Sequence, residues 1–410
     1  MCSDGRSPTL NLAVPSEVGM IYLDNAATSF PKPQQVYEFM DAFYRKTGVN
    51  PGRSGFDLCL VAGELVDETR ELLSSLFGAT DPSRVVFAAN ATDALNLAIF
   101  GLVGPGDHVV STRLEHNSVV RPLWTLHEDA GVSVDWVSFD SRGYVDPQEV
   151  IGCLRPNTRA VVMNHASNVL GTVQDVAPVG RACRERGVHL ILDASQTAGV
   201  VPVKLDALGA DIICFTGHKG LMGPMGIGGM VVRENVEIRQ TRAGGTGVRS
   251  AELRHLTDYP YRMEYGTPNL PGIAGLHAAL TWLRHVGITE IHAHEMALWQ
   301  TLRDGLAQLD GVTLHGQDPG QGGRIGVLSF NVDGFEAADV GTLLDVDANI
   351  ACRTGLHCAP LLHGQLGTHR LHGSVRLSIG PFSNLGHIER AVAAVAEIVA
   401  MRRLTESRQA

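Results

Sequence analysis

Two stretches decide the fold: His189-Leu190-Ile191-Leu192-Asp193-Ala194-Ser195-Gln196 and Ile212-Ile213-Cys214-Phe215-Thr216-Gly217-His218-Lys219-Gly220. In each, a short unbroken apolar run stops at a polar or Gly-rich turn. An unbroken run, as opposed to an alternating one, is the pattern of a strand covered on both faces. The same form recurs at 84–88, 107–112, 133–138, 159–163 and 228–232. Amphipathic stretches at 91–100, 118–130, 146–154 and 176–187 separate these runs and read as helices. Strand–helix alternation predicts an α/β domain with a parallel sheet and right-handed crossovers. The pattern changes at 241–268, which is rich in Arg, Gly and Tyr and reads as an excursion or hairpin. Helices at 272–285 and 289–309 follow, then strands at 325–331 and 374–379 around a helix at 337–345, and a last helix at 385–401. That end reads as a smaller α+β domain.

The chain has 410 residues, 44% hydrophobic content, 19% charged residues and a formal net charge of -10. This suffices for one large domain and a smaller one. No Lys/Arg run or basic stripe points to nucleic acid. The apolar runs are strand-length, too short to span a membrane, and residues 1–11 are polar, unlike a signal peptide. Cys2, Cys59, Cys153, Cys183, Cys214, Cys352 and Cys358 are odd in number and lack CxxC spacing. They fit a reducing, cytoplasmic setting and neither a disulfide framework nor a metal site.

In open α/β sheets, ligands sit beyond the carboxyl ends of the strands, so the residues after each run carry the chemistry. Asp193 ends one run. Alone it reads equally well as a helix N-cap or as a carboxylate facing a pyridine nitrogen, which pyridoxal 5'-phosphate (PLP) needs to act as an electron sink. Lys219 follows the next run among glycines, which let backbone crowd a ligand. Alone it is an ordinary loop lysine; desolvated, it can form an imine or act as a base. Asn90-Ala91-Thr92-Asp93 opens a helix, either as a plain cap or as a phosphate site built on Ala91 and Thr92, with Thr216 and His218 as further donors. His116 follows the 107–112 run, where it is an incidental loop residue or a ring that stacks on the pyridine and exchanges protons. Asn168 follows the 159–163 run and, like Gln196, can bond the cofactor's phenolic oxygen. Each bland reading is adequate alone, but five such sites at five strand ends are together the set PLP requires.

These residues resemble the class V aminotransferase-like PLP family and, within it, the cysteine desulfurases. Tyr22-Leu23-Asp24-Asn25-Ala26-Ala27-Thr28 is similar to the family's N-terminal motif. The resemblance implies the PLP-dependent transferase fold type I. Its expected parts are an N-terminal segment at 1–30, a large PLP-binding domain at 31–268, and a linking helix with the smaller domain at 269–410. It also implies Lys219 as the imine lysine, Asp193 as the pyridinium partner, Gln196 and Asn168 beside the phenolic oxygen, and His116 as the stacking ring. Gly266-Thr267-Pro268-Asn269 resembles the segment by which one subunit donates a Thr to its neighbour's phosphate site, implying a homodimer with shared sites. Arg353-Thr354-Gly355-Leu356-His357-Cys358-Ala359-Pro360 resembles the catalytic-cysteine loop of the SufS-like, or group II, desulfurases. Cys358 is otherwise a buried structural thiol; Arg353 and His357 would favour a thiolate. Arg376 looks like the clamp for the substrate carboxylate, with Ala27 and Arg353 also on the substrate. The sequence departs from the family pattern at Ala91 in place of a Thr, at Leu356-His357 in place of His-His, at Phe382-Ser383-Asn384 in place of Tyr/Phe-Asn-Thr, and at Phe56 in place of a His after Arg53.

The activity this implies is removal of sulfur from L-cysteine, leaving L-alanine and a persulfide on Cys358 for an acceptor protein. Selenocysteine lyase, a class V aminotransferase or Cβ-lyase without persulfide chemistry, and a non-enzymatic sulfur-carrier scaffold remain the other readings.

Overall fold

The computed structural model describes residues 19–52, 55–316 and 322–409, with side chains through Met401. The polar stretch at 1–11, with Cys2, and the pair Arg53-Ser54 lie outside the described residues. The chain opens with β1 (Ile21–Tyr22), α1 (Gln34–Thr47) and α2 (Asp57–Phe77). There follow β2 (Val85–Ala88), α3 (Ala91–Leu102), β3 (His108–Thr112), α4 (Asn117–Ala130), β4 (Ser133–Val137) and α5 (Pro147–Gly152). Next are β5 (Thr158–Asn164), α6 (Ala177–Arg186), β6 (His189–Asp193), α7 (Leu205–Leu208), β7 (Ile212–Thr216) and β8 (Gly228–Val232). Helices α8 (Leu270–Val286) and α9 (Ile288–Ala307) lead to β9 (Val312–His315), β10 (Val327–Val332) and α10 (Ala337–Ala348). The chain ends with β11 (Ile350–Ala351), β12 (Arg353–Gly355), α11 (Pro360–Leu366), β13 (Ser374–Ser378) and α12 (Leu385–Gln409).

All seven apolar runs of the first part of the chain join one sheet, in the order β2-β8-β7-β6-β5-β3-β4. The ladders from β7 through β4 are parallel; β8 runs antiparallel between β7 and β2. The unbroken apolar character has a direct cause. Val110, Val161, Leu190, Leu192 and Ile213 face one core. Their neighbours Val109, Val162, Ile191, Ile212 and Cys214 face another on the opposite side. Successive side chains of a strand point to opposite faces, so a doubly covered strand needs both sets apolar.

Four strands form a second, antiparallel sheet, β12-β13-β10-β9, whose core includes Leu298, Trp299 and Leu302 of α9, Val340 and Leu344 of α10, and Ile388 and Val395 of α12. The N-terminal segment binds to this region: β1 pairs with β11, and Asp24 bridges to Ser378. Helices α1 and α2, which carry many exposed apolar residues, were not anticipated. The 241–268 stretch contains no hydrogen-bonded strand or helix, so it is an excursion and not a hairpin.

One residue on the inner face of α9 breaks the apolar pattern. Glu295 lies between Ile291 and Trp299, is 4% exposed, and has no protein hydrogen bond among the described residues. It borders a small cavity of about 40 Å³ shared with Ser29, Gln196, Lys219 and Ser378, room for water. Burial pushes its carboxyl up to about 8. The folded chain therefore keeps a proton that the unfolded chain releases near 4.5. The associated stability is complete below that value and is lost as pH rises through about 8. Urea unfolding from about pH 6 to about pH 9 should show stability falling for the natural chain, and falling less for Glu295→Gln by on the order of 1–3 kcal/mol. Parallel curves for the two proteins would contradict this.

Candidate active site

The turns after β2, β3, β5, β6 and β7 converge at the carboxyl edge of the parallel strands. Asp193, Arg353 and Arg376 are close enough there to shift the protonation of His116 and Lys219. Lys219 is half-buried in the turn after β7. Desolvation pulls its ammonium down to about 8, with Arg376 and Arg353 pushing the same way and Asp193 opposing. The glycines around it are packing requirements: a Cβ at Gly217 would lie 2.9 Å from the Ile227 carbonyl oxygen, and one at Gly220 2.6 Å from that of Ala198.

Asp193 closes β6 and serves two purposes with two oxygens. Its Oδ1 accepts from the Ser195 N–H at 2.9 Å and hydroxyl at 2.5 Å, which is the local turn bond. Its Oδ2 has no protein partner among the described residues and remains free for a ring N–H. His116 caps α4, with Nδ1 accepting from the Ser118 N–H at 3.0 Å. Nδ1 is therefore unprotonated and Nε2 carries the hydrogen. Burial, then the Lys219 charge, pushes the ring's pKa down to about 4, so it is neutral at pH 7.

At α3 the cap is Asn90, whose Oδ1 accepts from the Asp93 N–H at 3.0 Å; neither Thr92 nor Asp93 caps the helix. The Ala91 and Thr92 N–H groups are left as helix-start donors without intrahelical partners. Thr92 bonds Ser118 through its hydroxyl at 2.7 Å. β8 can approach this turn because residue 228 is glycine; a Cβ there would lie 2.8 Å from Asn90 Cα. Thr216 Oγ1 and His218 Nδ1 are buried without protein partners. Orphaned donors beside free helix-start N–H groups suit an anion, and the free Asp193 oxygen and the desolvated lysine suit a pyridine aldehyde. The donor set thus fits pyridoxal phosphate. Gln196 bonds the Ala26 carbonyl at 2.9 Å through Nε2, and Ala27 lies in the turn begun by Asp24. Thr267 is exposed on a groove with Ala89, Asp93 and Gly226, beside the start of α3.

The Cys358 loop docks onto this group. The Asn117 N–H donates to the Cys358 carbonyl at 2.7 Å, and Asn168 Nδ2 donates to the His357 carbonyl at 2.8 Å. Both His357 and Cys358 have positive φ, 47° and 58°, so the thiol is presented on a constrained turn. Arg353 donates to Cys358 Sγ at 3.3 Å. His357 does not supply a second positive charge. It is buried, its Nε2 donates to the Ser374 carbonyl at 3.0 Å, and desolvation pushes its pKa down to about 2.

Arg376 is completely buried. Its guanidinium pairs with Asp24 Oδ1 at 2.6 Å and donates to the Asn168 carbonyl at 3.0 Å. The sequence reading missed Asp24 as this partner, although a lone acid directly after an apolar strand was a usable signal. It also missed Glu115, fully buried, whose Oε1 accepts from the Thr112 hydroxyl at 2.7 Å and the Asn164 N–H at 3.0 Å. Burial pushes this carboxyl up to about 8.

Comparison with known proteins gives the family. The family model for class V aminotransferases matches residues 21–390, and the chain belongs to that family. It is 34% identical over 386 residues to a probable cysteine desulfurase of Methanothermobacter thermautotrophicus, covering 93% of this chain and 95% of that one. It is 31% identical to a cysteine desulfurase of Haloferax volcanii, over 92% of this chain and 88% of that protein. Among solved structures, the apo cysteine desulfurase of Thermococcus onnurineus NA1 superposes with a TM-score of 0.86 at 33% identity, covering 93% and 95% of the two chains. CsdA of Escherichia coli, in an S-sulfonic acid form, superposes with a TM-score of 0.84 at 27% identity, covering 95% and 100%.

The Arg353 contact predicts a reactivity change. Arg353→Ala should slow alkylation of Cys358 by iodoacetamide at neutral pH about three- to tenfold, with Arg353→Lys in between. Mass-spectrometric counting of the labelled Cys358 peptide measures this. Equal rates in all three proteins would remove Arg353 from the activation of the thiol.

Proposed function

We propose that the chain is a PLP-dependent L-cysteine desulfurase that uses Lys219 and Cys358 as its two reactive side chains. The observation that carries the reading is the docking of the Cys358 loop onto Asn117, the neighbour of His116, and onto Asn168, with a guanidinium on its sulfur, beside a desolvated lysine. The cysteine-desulfurase names of the relatives support it.

In this reading Ala91, Thr92, Thr216 and His218 hold the phosphate, Asp193 faces the ring nitrogen, and Asn168 and Gln196 lie beside the phenolic oxygen. Lys219 is the attachment point. Pyridoxal phosphate, when bound, supplies an electron sink for the substrate's Cα and Cβ. Lys219, with its pKa lowered to about 8, is an efficient base near neutral pH and takes the Cα proton. His116, neutral with its proton on Nε2, stacks and exchanges protons. Arg376 and Arg353 orient the substrate carboxylate, with Ala27 lining its site. The Cys358 sulfur attacks the substrate sulfur. An S–S bond forms as Cβ–S breaks; the bonding pair stays with carbon and, on protonation, gives alanine. The persulfide then waits on Cys358 for an acceptor protein. In this reading the described residues of the N-terminal segment 1–30 and of the smaller domain at 269–410 face a large cofactor domain at 31–268.

A second copy of the chain completes the site. Thr267 is exposed on a groove of about 730 Å³ at the start of α3, and Tyr44, Phe56 and Leu60 around α1 and α2 form exposed apolar surface suited to a homodimer. No helix among the described residues is long and apolar enough to cross a membrane, which fits the cytoplasmic setting proposed here.

Cys358→Ala should lose alanine production from L-cysteine by at least about 100-fold while keeping the visible absorbance of bound cofactor. Lys219→Ala should lose the imine absorbance as well. Undiminished sulfur release in Cys358→Ala would refute the persulfide route. L-selenocysteine in the same variant separates the lyase alternative, because selenium leaves more readily and would keep turnover without the thiol. Sedimentation should give a dimer; a fully active monomer would refute the shared site.

A further inference from the structure

Lys32 stands in Pro31-Lys32-Pro33. Proline fixes its own φ and restricts the residue before it, so this lysine has little backbone freedom. Its N–H donates to the Tyr37 hydroxyl at 3.0 Å. The side chain runs inward and the residue is 7% exposed. A buried lysine normally meets a carboxylate; among the described residues this one meets none, and desolvation alone pulls its pKa down to about 7.

Its Nζ instead donates to the His218 carbonyl at 2.6 Å and to Ser29 Oγ at 2.7 Å. Ser29 Oγ in turn donates to the Lys219 carbonyl at 2.8 Å. The Thr28 hydroxyl and the Ser29 N–H also reach the His218 carbonyl, each at 3.0 Å. The Ser29 hydroxyl lies within reach of both carbonyls, 2.8 Å from that of Lys219 and 3.2 Å from that of His218, and Lys32 fixes this hydroxyl while bonding the His218 carbonyl directly. Those carbonyls belong to the two peptide planes flanking Lys219 Cα. With both planes held, φ and ψ at Lys219 are set, and with them the direction of its Cα–Cβ bond. Two N–H groups suffice for both bonds, so the amine holds the turn whether charged or neutral.

We propose that Lys32 is a positioning residue for Lys219, aiming the reactive amine by anchoring the peptide planes on either side of it. This rests on Lys219 being the cofactor attachment point.

The test uses the holoenzymes of Lys32→Met, Ser29→Ala and the double variant. Lys32→Met should bind cofactor in full stoichiometry. Its kcat should fall about tenfold with KM changed less than about threefold, the size expected for a misaimed group. The visible circular dichroism per bound cofactor, which reports how rigidly it is held, should fall in the same variant. The two changes should not multiply: the double variant should be no slower than the slower single one, because both break one chain. A Lys32→Met protein with lower melting temperature but unchanged kcat and dichroism would make Lys32 a structural residue only and overturn the proposal, as would a double variant whose loss is the product of the singles. If Lys32→Met does not fold, Ser29→Ala is read by the same two measures. Lys219→Ala is the control: if it keeps the imine absorbance, the attachment point itself is wrong. If it loses that absorbance while Lys32→Met is unaltered, only the present proposal fails.

Discussion

The arrangement depends on one buried guanidinium. Arg376 lies on β13 of the small sheet, pairs with Asp24 of the N-terminal segment, and donates to the carbonyl of Asn168 beyond β5 of the large sheet. Three parts of the chain far apart in sequence meet on one side chain. Two of its three nitrogens are bonded, while Nε has no protein partner among the described residues; separating the three parts would strand the buried charge altogether. Arg suits this role better than Lys because its planar fork reaches separate acceptors at fixed angles. The same cation lowers the pKa of Lys219, which couples the joint between the sheets to the chemistry beside it.

Much of the large sheet was legible because its strands are covered on both faces. The runs of β2, β3 and β5 to β8 show no competing alternation and each ends in a visible change of residue type, whereas the edge strand β4 alternates polar and apolar residues and is only partly buried. Their order was not legible. Nothing local in 228–232 reveals that β8 runs antiparallel between β7 and β2. Helices α1 and α2 escaped notice because their apolar residues do not form a clean inward stripe: Tyr37, Phe39 and Tyr44 of α1, and Leu58, Leu60 and Val61 of α2, are exposed. Those residues obscure the periodicity by which an amphipathic helix is recognised.

The gathering of Asp193, Lys219 and His116 was legible because each stands at its own strand end. The site was illegible where the partner comes from elsewhere in the chain. Asp24 meets Arg376 across more than three hundred residues, and the Lys32 contact with the turn before Lys219 is similarly non-local. His357 shows the opposite failure. Its place beside Cys358 in sequence suggested a charge at the thiol, but the left-handed backbone turns the ring inward to Ser374. Adjacency in a loop is weak evidence for contact when φ is positive.

The Cys358 loop has a consequence for how such a protein can change over evolution. Its tethers come from Asn117, one residue past His116, and from Asn168. The thiol is therefore mounted partly on these two turns, besides the bond from His357 to Ser374. A substitution that shifts the loop to suit a different acceptor also pulls on Asn168 and on the turn that carries His116. One that retunes the ring pocket moves the sulfur. The two halves of the site form a single inherited module, and new specificity is more freely gained at the exposed rim, where Leu356 stands in the solvent, than at the thiol itself.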